Sequence, residues 1–435
     1  MGLLPFDIAE QILSANVFGD GETKPRDMID ETLTVEAGKT ISRGDLIVTG
    51  FNGTVKPCDQ AVQVVAQHGK PCLGMSPKHA VTVALDNERV LAMFGRQSRL
   101  YAQVFRVRDG VVFSRGDMLL VANDWSPNGF AACRAGANQG VIAYRGASNR
   151  CYGVAVSVSD LAVSAGAASV LHSSGAVQWD AIEINHADNR AVVVIRSSDG
   201  SLCPIVVQAS ETSLTRLQHR AIRNSYGYIC VDRLADDKFV IAARDSTEDK
   251  AYVVVGTFTG SSISLGPPLY CASEYVYVVR AISSDKALIG LSNRARNTTM
   301  FRVLTITGNS VSAGAPQPLE SLIPGASMSN SRAVVWDTST LLIAATAVWS
   351  GYGGSTVNLL KVQIDLSETI AYSNLGQLIN TPFDGMTLAR VGGVPVFGYA
   401  NKALVVKPVW RPEGYALQEG SEGERIKVKR FASTL

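Results

Sequence analysis

One strand-like apolar segment recurs seven times along the 435-residue chain, at intervals of about 50 residues. This repeat constrains the fold more than any other feature. Two of the copies are Arg89-Val90-Leu91-Ala92 and Phe239-Val240-Ile241-Ala242. The positions taken as equivalent are Val90, Val141, Val192, Val240, Leu288, Leu342 and Pro395. A regular period of this length predicts a repeat architecture, in which each copy packs against its neighbours.

Turn residues repeat with the same phase as the apolar segments. A turn residue precedes each segment, at Asp86, Asn138, Asp188, Asp236, Asp285, Asp337 and Gly392. Aspartate, asparagine and glycine favour tight reversals between antiparallel strands. A Ser-X-Gly motif closes four of the units, with its serine and glycine at Ser114 and Gly116, Ser164 and Gly166, Ser264 and Gly266, and Ser312 and Gly314. The copy around Arg216 lacks this motif although the period continues.

Four short strands fit into each period, which predicts an all-β, seven-bladed β-propeller with four-stranded blades over residues 74–410. A four-stranded sheet with two apolar faces is too small to bury both alone, whereas a radial arrangement buries each face against a neighbour. A β-helix needs far shorter repeats, and a tandem immunoglobulin-like array needs about 100 residues per copy. Both alternatives are therefore disfavoured.

The segments outside the repeat are predicted to form one small β-domain. Residues 1–30 are an N-terminal arm, residues 31–73 are the first part of an anchoring domain, and residues 411–435 complete it. Both parts contain short alternating strands joined by glycine turns, such as Asp45-Leu46-Ile47-Val48 and Arg425-Ile426-Lys427-Val428. Because the first and last blades of a propeller are neighbours, we expect these strands to pair into a small β-barrel or sandwich.

Composition excludes several classes of protein. The 40 basic and 38 acidic residues nearly balance, and they form no long runs, which argues against a nucleic-acid partner. No stretch approaches the roughly 18 apolar residues of a membrane helix, so membrane insertion is not expected. The N-terminus shows neither a basic region before its apolar residues nor a myristoylation motif. Seven cysteines without metal-ligand spacing predict mostly reduced, buried thiols, although the odd one leaves an intermolecular bridge open.

The flanking segments resemble small structural proteins of tailed-bacteriophage virions. The resemblance rests on the strand–turn pattern of residues 35–47 and on that of residues 414–428. The blades also resemble propeller modules of phage tail and fibre proteins. The resemblance implies a non-enzymatic virion protein, assembled in the host cytoplasm and docked on the particle through the small β-domain, with the propeller projecting outward. Tail fibre, baseplate, collar and capsid decoration all remain open as its position. The implied partners are other virion proteins and further copies of the chain in symmetric multiples.

Catalytic and metal-binding motifs are absent from the sequence. The five histidines show no metal-ligand spacing, and neither a nucleophile elbow nor a phosphate-binding loop occurs. We therefore predict no catalytic residue, no metal and no cofactor. Two alternatives remain for a propeller, a glycoside hydrolase and a free lectin. The single partial Asp box at Ser197-Ser198-Asp199-Gly200 gives the hydrolase little support, and the two Trp-Asp pairs do not match a WD repeat.

Binding through end loops is the usual function of a propeller. Aromatic residues suited to stacking on sugars are expected in loops or at edges, at Trp125, Tyr226, Tyr228, Trp349 and Tyr352. Trp349 and Tyr352 are the candidate contacts to a host-surface glycan or receptor, because they belong to a glycine-rich stretch of the longest blade, where extra residues are expected to form a protruding turn. Ordinary surface aromatics or subunit packing are the alternative interpretation of these two residues.

Overall fold

The computed structural model describes strands between Met28 and Phe431, most turns between residues 85 and 316, and side chains mainly within residues 81–318 with short gaps. The described secondary structure contains 39 strands and no α-helix. The predicted all-β propeller class is confirmed. The chain divides into two units, one of Met1–Val65 with Pro408–Leu435 and one of Ala66–Lys407.

In the first unit, strands from both ends of the chain pair with each other. A five-stranded sheet has the order β1-β39-β37-β3-β4, and β2 pairs with β38. The register of β1 with β39 is antiparallel throughout, from Met28 opposite Phe431 to Thr34 opposite Arg425. The strands are β1 Met28–Thr34, β2 Thr40–Ile41, β3 Leu46–Thr49, β4 Val55–Pro57, β37 Gly414–Ala416, β38 Gly420–Ser421 and β39 Arg425–Phe431.

In the second unit, the described strands form seven antiparallel sheets of four or five strands, which we number as blades 1 to 7. Blade 1 holds β6 His79–Ala84, β7 Arg89–Arg96, β8 Arg99–Arg108, β9 Val111–Arg115 and β10 Leu119–Ala122. Blade 2 holds β11 Trp125–Arg134, β12 Gln139–Gly146, β13 Cys151–Ser159, β14 Ala162–Ala165 and β15 Ser169–His172. Blade 3 holds β16 Ala176–Asn185, β17 Arg190–Ser197, β18 Leu202–Ser210 and β19 Ser213–His219.

The remaining blades follow the same plan. Blade 4 holds β20 Cys230–Ala235, β21 Lys238–Asp245, β22 Lys250–Thr259, β23 Ser262–Leu265 and β24 Leu269–Tyr270. Blade 5 holds β25 Tyr275–Ala281, β26 Lys286–Asn293, β27 Thr298–Thr307, β28 Ser310–Ala313 and β29 Gln317–Pro318. Blade 6 holds β30 Ala326–Val335, β31 Thr340–Trp349, β32 Ser355–Ile364 and β33 Ile370–Ile379, and blade 7 holds β34 Thr387–Val391, β35 Val394–Tyr399, β36 Lys402–Val409 and β5 Gln63–Pro71.

Blade 7 is completed by a strand from the N-terminal part of the chain. Strand β5 lies at the outer edge of this sheet, beside β36. The sequence-based boundary at residue 73 assigned Gln63–Pro71 to the small domain, and the structure places it in the propeller sheet instead. One blade is therefore built from strands of both the N-terminal and the C-terminal part of the chain, which connects the two ends of the propeller.

The first strands of the blades form a closed ring. Each contacts the first strand of the next blade, in the order β6, β11, β16, β20, β25, β30, β34 and back to β6. Aspartates join these strands where blades 3 to 5 meet. Asp180 accepts a hydrogen bond from the backbone N–H of Val231 at 2.7 Å, and Asp232 accepts one from Ala281 at 2.6 Å. Buried backbone N–H groups that face no strand partner are thereby satisfied.

The core consists of layers between adjacent blades. In β17, five consecutive residues are buried, which follows from the sheet being covered on both faces. Val193 and Ile195 pack with residues of blade 2, whereas Val192 and Val194 pack with residues of blade 4. This division follows the two-residue period of a strand. The near-continuous apolar runs of the sequence repeat are therefore second strands buried on both faces.

The Ser-X-Gly motifs mark a break in the outermost strand. Blades 1, 2, 4 and 5 carry the motif and have two short outer pieces, whereas blade 3 lacks it and has one continuous strand, β19. Gly166 donates its backbone N–H to Ala155 at 3.0 Å, and Gly116, Gly266 and Gly314 donate in the same way at 2.9 Å. The serine hydroxyls contribute less, because those of Ser164 and Ser312 lie 3.5 and 3.4 Å from their acceptors.

These glycines also allow neighbouring blades to approach closely. A Cβ added at Gly116, Gly166 or Gly266 would overlap a carbonyl group of the next blade's outer turn, at Leu161, Thr212 and Asn309 respectively. The motif is therefore a contact between blades as well as a turn, which its spacing alone did not indicate.

The register of the sheets corrects two of the positions taken as equivalent. Val141 pairs with Cys133, and the corresponding pair in blade 1 is Leu91 with Val83, one residue beyond Val90. In blade 7 the equivalent residue is Val396 rather than Pro395. The apolar run in each segment is long enough for either residue to fit the pattern, so only the pairing distinguishes them.

Candidate functional site

The turns of the antiparallel blades lie at two ends. Turns that join first to second strands and third to fourth strands lie at one end, which we call the 1–2 end. Turns that join second to third strands, and one blade to the next, lie at the other, the 2–3 end. The two ends differ in the charged and aromatic groups that their described residues carry.

Ion pairs and hydrogen bonds between blades occupy the 1–2 end. Asp86 accepts hydrogen bonds from the backbone N–H groups of Glu88 and Arg89, at 2.9 and 2.7 Å. Burial alone would raise the pKa of Asp86, but these bonds outweigh it and hold the pKa below its usual value. Arg89 then reaches Asn138 of blade 2 at 2.7 Å. This repeat aspartate stabilises a turn, as the sequence predicted.

Of the other repeat aspartates, Asp188 and Asp236 pair with arginines, whereas Asp285 accepts a hydrogen bond from the Ser283 hydroxyl at 2.6 Å. Asp188 pairs with Arg190 at 3.1 Å, and Arg190 also reaches Asp237 of blade 4 at 3.0 Å. Asp236 pairs with Arg233. Asp337 lies outside the described residues. These ion pairs hold the turns of blades 3 and 4 at this end, and Arg190 links the two blades.

An arginine recurs at the 2–3 end of three consecutive blades. It is the seventh residue of the second strand in blades 2, 3 and 4, at Arg145, Arg196 and Arg244. The equivalent residues of blades 1 and 5 are Gly95 and Ser292. In all three blades the arginine stands directly before the 2–3 turn, at the mouth of the groove between its own blade and the next.

The groove between blades 4 and 5 is the most fully described of these positions. The guanidinium carbon of Arg244 lies 4.0 Å from the centre of the Tyr275 ring, which belongs to the first strand of blade 5. Arg244 also forms an ion pair with Asp249 in the 2–3 turn, and its side chain is only 10% exposed whereas that of Asp249 is 72% exposed. Tyr275 thus fixes the guanidinium, and the guanidinium fixes an exposed carboxylate.

A second aspartate holds the turn that carries Asp249. Asp245 is 2% exposed. Its Oδ1 accepts a hydrogen bond from the backbone N–H of Thr247 at 2.8 Å, and its Oδ2 accepts one from the Tyr270 hydroxyl at 3.0 Å. Asp249 itself has φ of 53°, a left-handed conformation that aspartate tolerates in tight turns. The Arg244 site, defined as Arg244, Asp245, Asp249, Tyr270 and Tyr275, is therefore preorganised.

The same end of blades 2 and 3 carries related groups. In blade 3, Asp199 accepts hydrogen bonds from the Ser197 hydroxyl and from the backbone N–H of Ser201, so its pKa lies below its usual value. In blade 2, Tyr144 and Tyr152 stack with ring centres 5.8 Å apart. Blades 2 and 3 thus also carry aromatic and polar groups at the 2–3 end, and the partial Asp box at Asp199 is an ordinary turn.

The aromatic residues predicted as sugar contacts have different outcomes. Trp125 is 1% exposed and covers Gly95 of the preceding blade, so its prediction as a loop aromatic was wrong. Trp349 is the last residue of β31, at the 2–3 end of blade 6, and its side chain is not described. Tyr226, Tyr228 and Tyr352 lie outside the described residues. The prediction that Trp349 and Tyr352 contact a glycan therefore stays a prediction.

Sequence reasoning missed the Arg244 site. A signal was present, because Arg145, Arg196 and Arg244 follow the repeat period. The partners were not visible, since Tyr275 belongs to the next repeat and its contact depends on how blades pack.

The described residues add three further findings. Five cysteines, at 133, 151, 203, 230 and 271, are thiols, and all but Cys230 are buried, which agrees with the expectation for them. Cys58 and Cys72 lie outside the described part. Within that part, no three His, Cys, Asp or Glu residues cluster as a metal site would require, and no helix there has the length and apolarity to cross a membrane.

No family model and no curated protein matches the chain. Solved structures do match the chain. The BP39L lectin from Burkholderia pseudomallei has 11% sequence identity and a TM-score of 0.53, covering 81% of this chain and 98% of that chain. Kuenenia stuttgartiensis hydrazine synthase has 9% identity and a TM-score of 0.52, covering 78% and 97%. The SapL1 lectin in complex with alpha methyl fucoside has 13% identity and a TM-score of 0.41, covering 72% and 100%. The likeness to BP39L and to hydrazine synthase, at 11% and 9% identity, shows the fold alone.

Proposed function

We propose that the protein is a carbohydrate-binding propeller whose ligand site lies at the 2–3 end, between blades 4 and 5. The observation that carries the proposal is the fixed pair of Arg244 and Asp249 beside two half-buried tyrosine rings. A sugar presents vicinal hydroxyls, which both donate and accept hydrogen bonds, and an apolar C–H surface. A guanidinium donates, a carboxylate accepts, and tyrosine rings contact the C–H surface.

The repetition of the arginine supports more than one site. Arg145 and Arg196 occupy the same strand position as Arg244 in the two preceding blades. Several weak sites on one rigid scaffold increase avidity for a glycan-coated surface by about 100-fold or more when their spacing allows simultaneous binding. The proposal accords with the name of BP39L, which is described as a lectin.

The test is a glycan array followed by titration of the strongest ligand. We expect Arg244→Ala to weaken binding at least tenfold, because one charge-assisted hydrogen bond contributes about 1.5–3 kcal/mol. Arg106→Ala is the matched control, since Arg106 forms a comparable ion pair with Asp160 at the 1–2 end. Equal affinities for wild type and Arg244→Ala would remove the site from the proposal.

The finer proposal is that the protein is carried on a tailed-phage virion, docked by its small β-domain. Its support is the sequence resemblance of residues 35–47 and 414–428, together with the pairing of β1 with β39 and of β3 with β37 in one sheet. Imaging of purified virions with a labelled antibody tests it. Label on tail, collar or capsid is expected, and particles that carry none of the protein would refute it.

We also propose that the protein binds without turnover. Incubation of the strongest glycan ligand with the protein, followed by mass spectrometry of the products, is expected to return the intact ligand. Accumulation of shorter products in wild type, but not in a variant of the bound groups, would instead establish a glycan-cleaving propeller.

A further inference from the structure

A basic cleft lies between the outer strands of blades 2 and 3. His172 ends β15 and His219 ends β19, and these two strands contact each other. The two imidazole rings meet edge to face, with centres 5.8 Å apart. Arg216 of β19 donates to the backbone carbonyl of Leu171 at 2.8 Å, which brings its guanidinium to the same cleft. Arg216 and His219 are exposed, and His172 is half-buried.

Ser174 holds the His172 ring in place. Its backbone N–H lies 3.2 Å from Nδ1 of His172 and its carbonyl oxygen lies 3.4 Å from the same atom, so Nδ1 has a donor when the ring is neutral and an acceptor when it is protonated. Burial, Arg216 and His172 together hold the pKa of His219 below its usual value. Two imidazoles and a guanidinium therefore share a small space in which positive charge is disfavoured until a negative charge arrives.

The charged and titratable groups that face the cleft come from every element around it. Asp199, in the 2–3 turn of blade 3, lies close enough to His172 for their charges to interact. Its carboxylate accepts hydrogen bonds from the Ser197 hydroxyl and from the backbone N–H of Ser201. Burial raises the pKa of Cys203 to about 11, so this thiol is neutral. Arg220 donates to Ile263 of blade 4. Arg220 therefore points away from the cleft, and Arg216 is the arginine that faces it together with the single carboxylate of Asp199. Protonation of both histidines adds two positive charges.

We propose that this cleft binds an oxyanion group, a carboxylate or a sulfate, of an acidic carbohydrate, and binds it more tightly as the histidines protonate. Planar guanidinium and imidazolium N–H groups are the side chains that bond oxyanions best. The cleft opens at the 2–3 end, because β15 and β19 both run into turns between blades, and so shares an end with the Arg244 site. The carbohydrate part rests on the proposed function, whereas the anion site does not.

Inorganic sulfate tests the anion site by itself. The chain has five histidines, so selective ring labelling allows each to be titrated by NMR with and without sulfate. We expect sulfate to raise the pKa of His172 and His219 by about one unit each, and a one-unit rise corresponds to about tenfold tighter binding to the protonated form. Sulfate affinity should therefore increase at least tenfold between pH 8 and pH 5.5.

Variants identify the groups responsible. His172→Gln and His219→Gln should each reduce the pH dependence of sulfate affinity, and the double variant should abolish it. His186→Gln is the matched control, because His186 is also half-exposed but pairs with Glu183 at the 1–2 end. A sulfate affinity that is equal at both pH values, or unchanged in the double variant with its unfolding midpoint intact, would overturn the anion site.

Acidic and neutral oligosaccharides test the carbohydrate part. Carboxylated and sulfated ligands are expected to bind more tightly than their neutral counterparts at pH 5.5, with the advantage lost in the double variant. Equal binding of acidic and neutral sugars alongside intact sulfate binding would overturn the acidic-carbohydrate assignment and leave the anion site standing. Failure of every sugar alongside intact sulfate binding would overturn the proposed function instead, so the two failures are distinguishable.

Discussion

Replacing Gly166 with alanine should destabilise the propeller more than any other single methyl addition at a described turn glycine. A Cβ at this position would lie 3.1 Å from the Thr212 Cα, and closer to its carbonyl carbon and oxygen. The obstructing atoms are backbone of the next blade, so no side-chain rotation relieves the overlap. Overpacking costs about 1–3 kcal/mol and occasionally more. Because a backbone must shift here, we expect a loss of about 3 kcal/mol.

Gly308→Ala is the matched control. Gly308 has φ of 60° and nothing within 4 Å of an added Cβ. Its equivalents in blades 2 and 3 are Asp160 and Glu211, with φ of 53° and 46°, so this turn accepts a side chain. A left-handed alanine costs about 1–2 kcal/mol, partly offset by about 0.4–1 kcal/mol of reduced unfolded-state entropy. We expect a net loss of about 1 kcal/mol.

The assay is urea-induced unfolding followed by tryptophan fluorescence, with free energies compared between the two variants and wild type. Gly166→Ala should have the clearly lower midpoint at an unchanged slope. If Gly166→Ala were as stable as Gly308→Ala, close approach between blades would not be the reason for the Ser-X-Gly repeat. The motif would then be a turn signal only.

Three further predictions follow from buried groups. Val193→Ala should lower the free energy of unfolding in urea by about 2 kcal/mol, because Val193 is fully buried between blades 2 and 3. Thr215 is exposed, so Thr215→Ala should change this free energy by less than about 0.5 kcal/mol. Burial raises the pKa of Asp232 despite Arg280 and Ala281, so the folded state binds its proton more tightly than the unfolded state. The stability that Asp232 contributes relative to Asp232→Asn should therefore fall as pH rises above about 4, and urea midpoints at pH 4, 5.5 and 7 that differ by a constant amount would refute this. Four thiols are buried, those of Cys133, Cys151, Cys203 and Cys271, and burial raises the pKa of Cys203 to about 11. Iodoacetamide at pH 8 should therefore label these thiols only after unfolding. Peptide mapping of the labelled protein checks this.

The repeat period was enough to predict the propeller class, because an apolar run such as Val192–Ile195 must be covered on both faces. The turn role of Asp86 was also readable, since an aspartate before a reversal has a local mechanism. Contacts between blades could not be predicted from the sequence. The position of Trp125 over Gly95 and that of Tyr275 under Arg244 depend on residues from different repeats, whose distance is set by packing of whole sheets. A loop aromatic and a buried one look alike in sequence.

The Ser-X-Gly motif was found from the sequence, but the contact that requires its glycine was not. Its period and its glycine were evident, and both hold in the structure. Its reason was not, because the atom that requires the glycine is a carbonyl oxygen of the next blade's turn. The strand that completes blade 7 likewise has no local signal, since Gln63–Pro71 and Lys402–Val409 become neighbours only when the ring closes.

A crystal structure with the strongest array ligand would show where this protein binds sugar. We expect a sugar at the 2–3 end between blades 4 and 5, with its hydroxyls bonded to Asp249 and Arg244. A sugar bound only at the 1–2 end, or against a surface without any of the recurring arginines, would contradict this expectation.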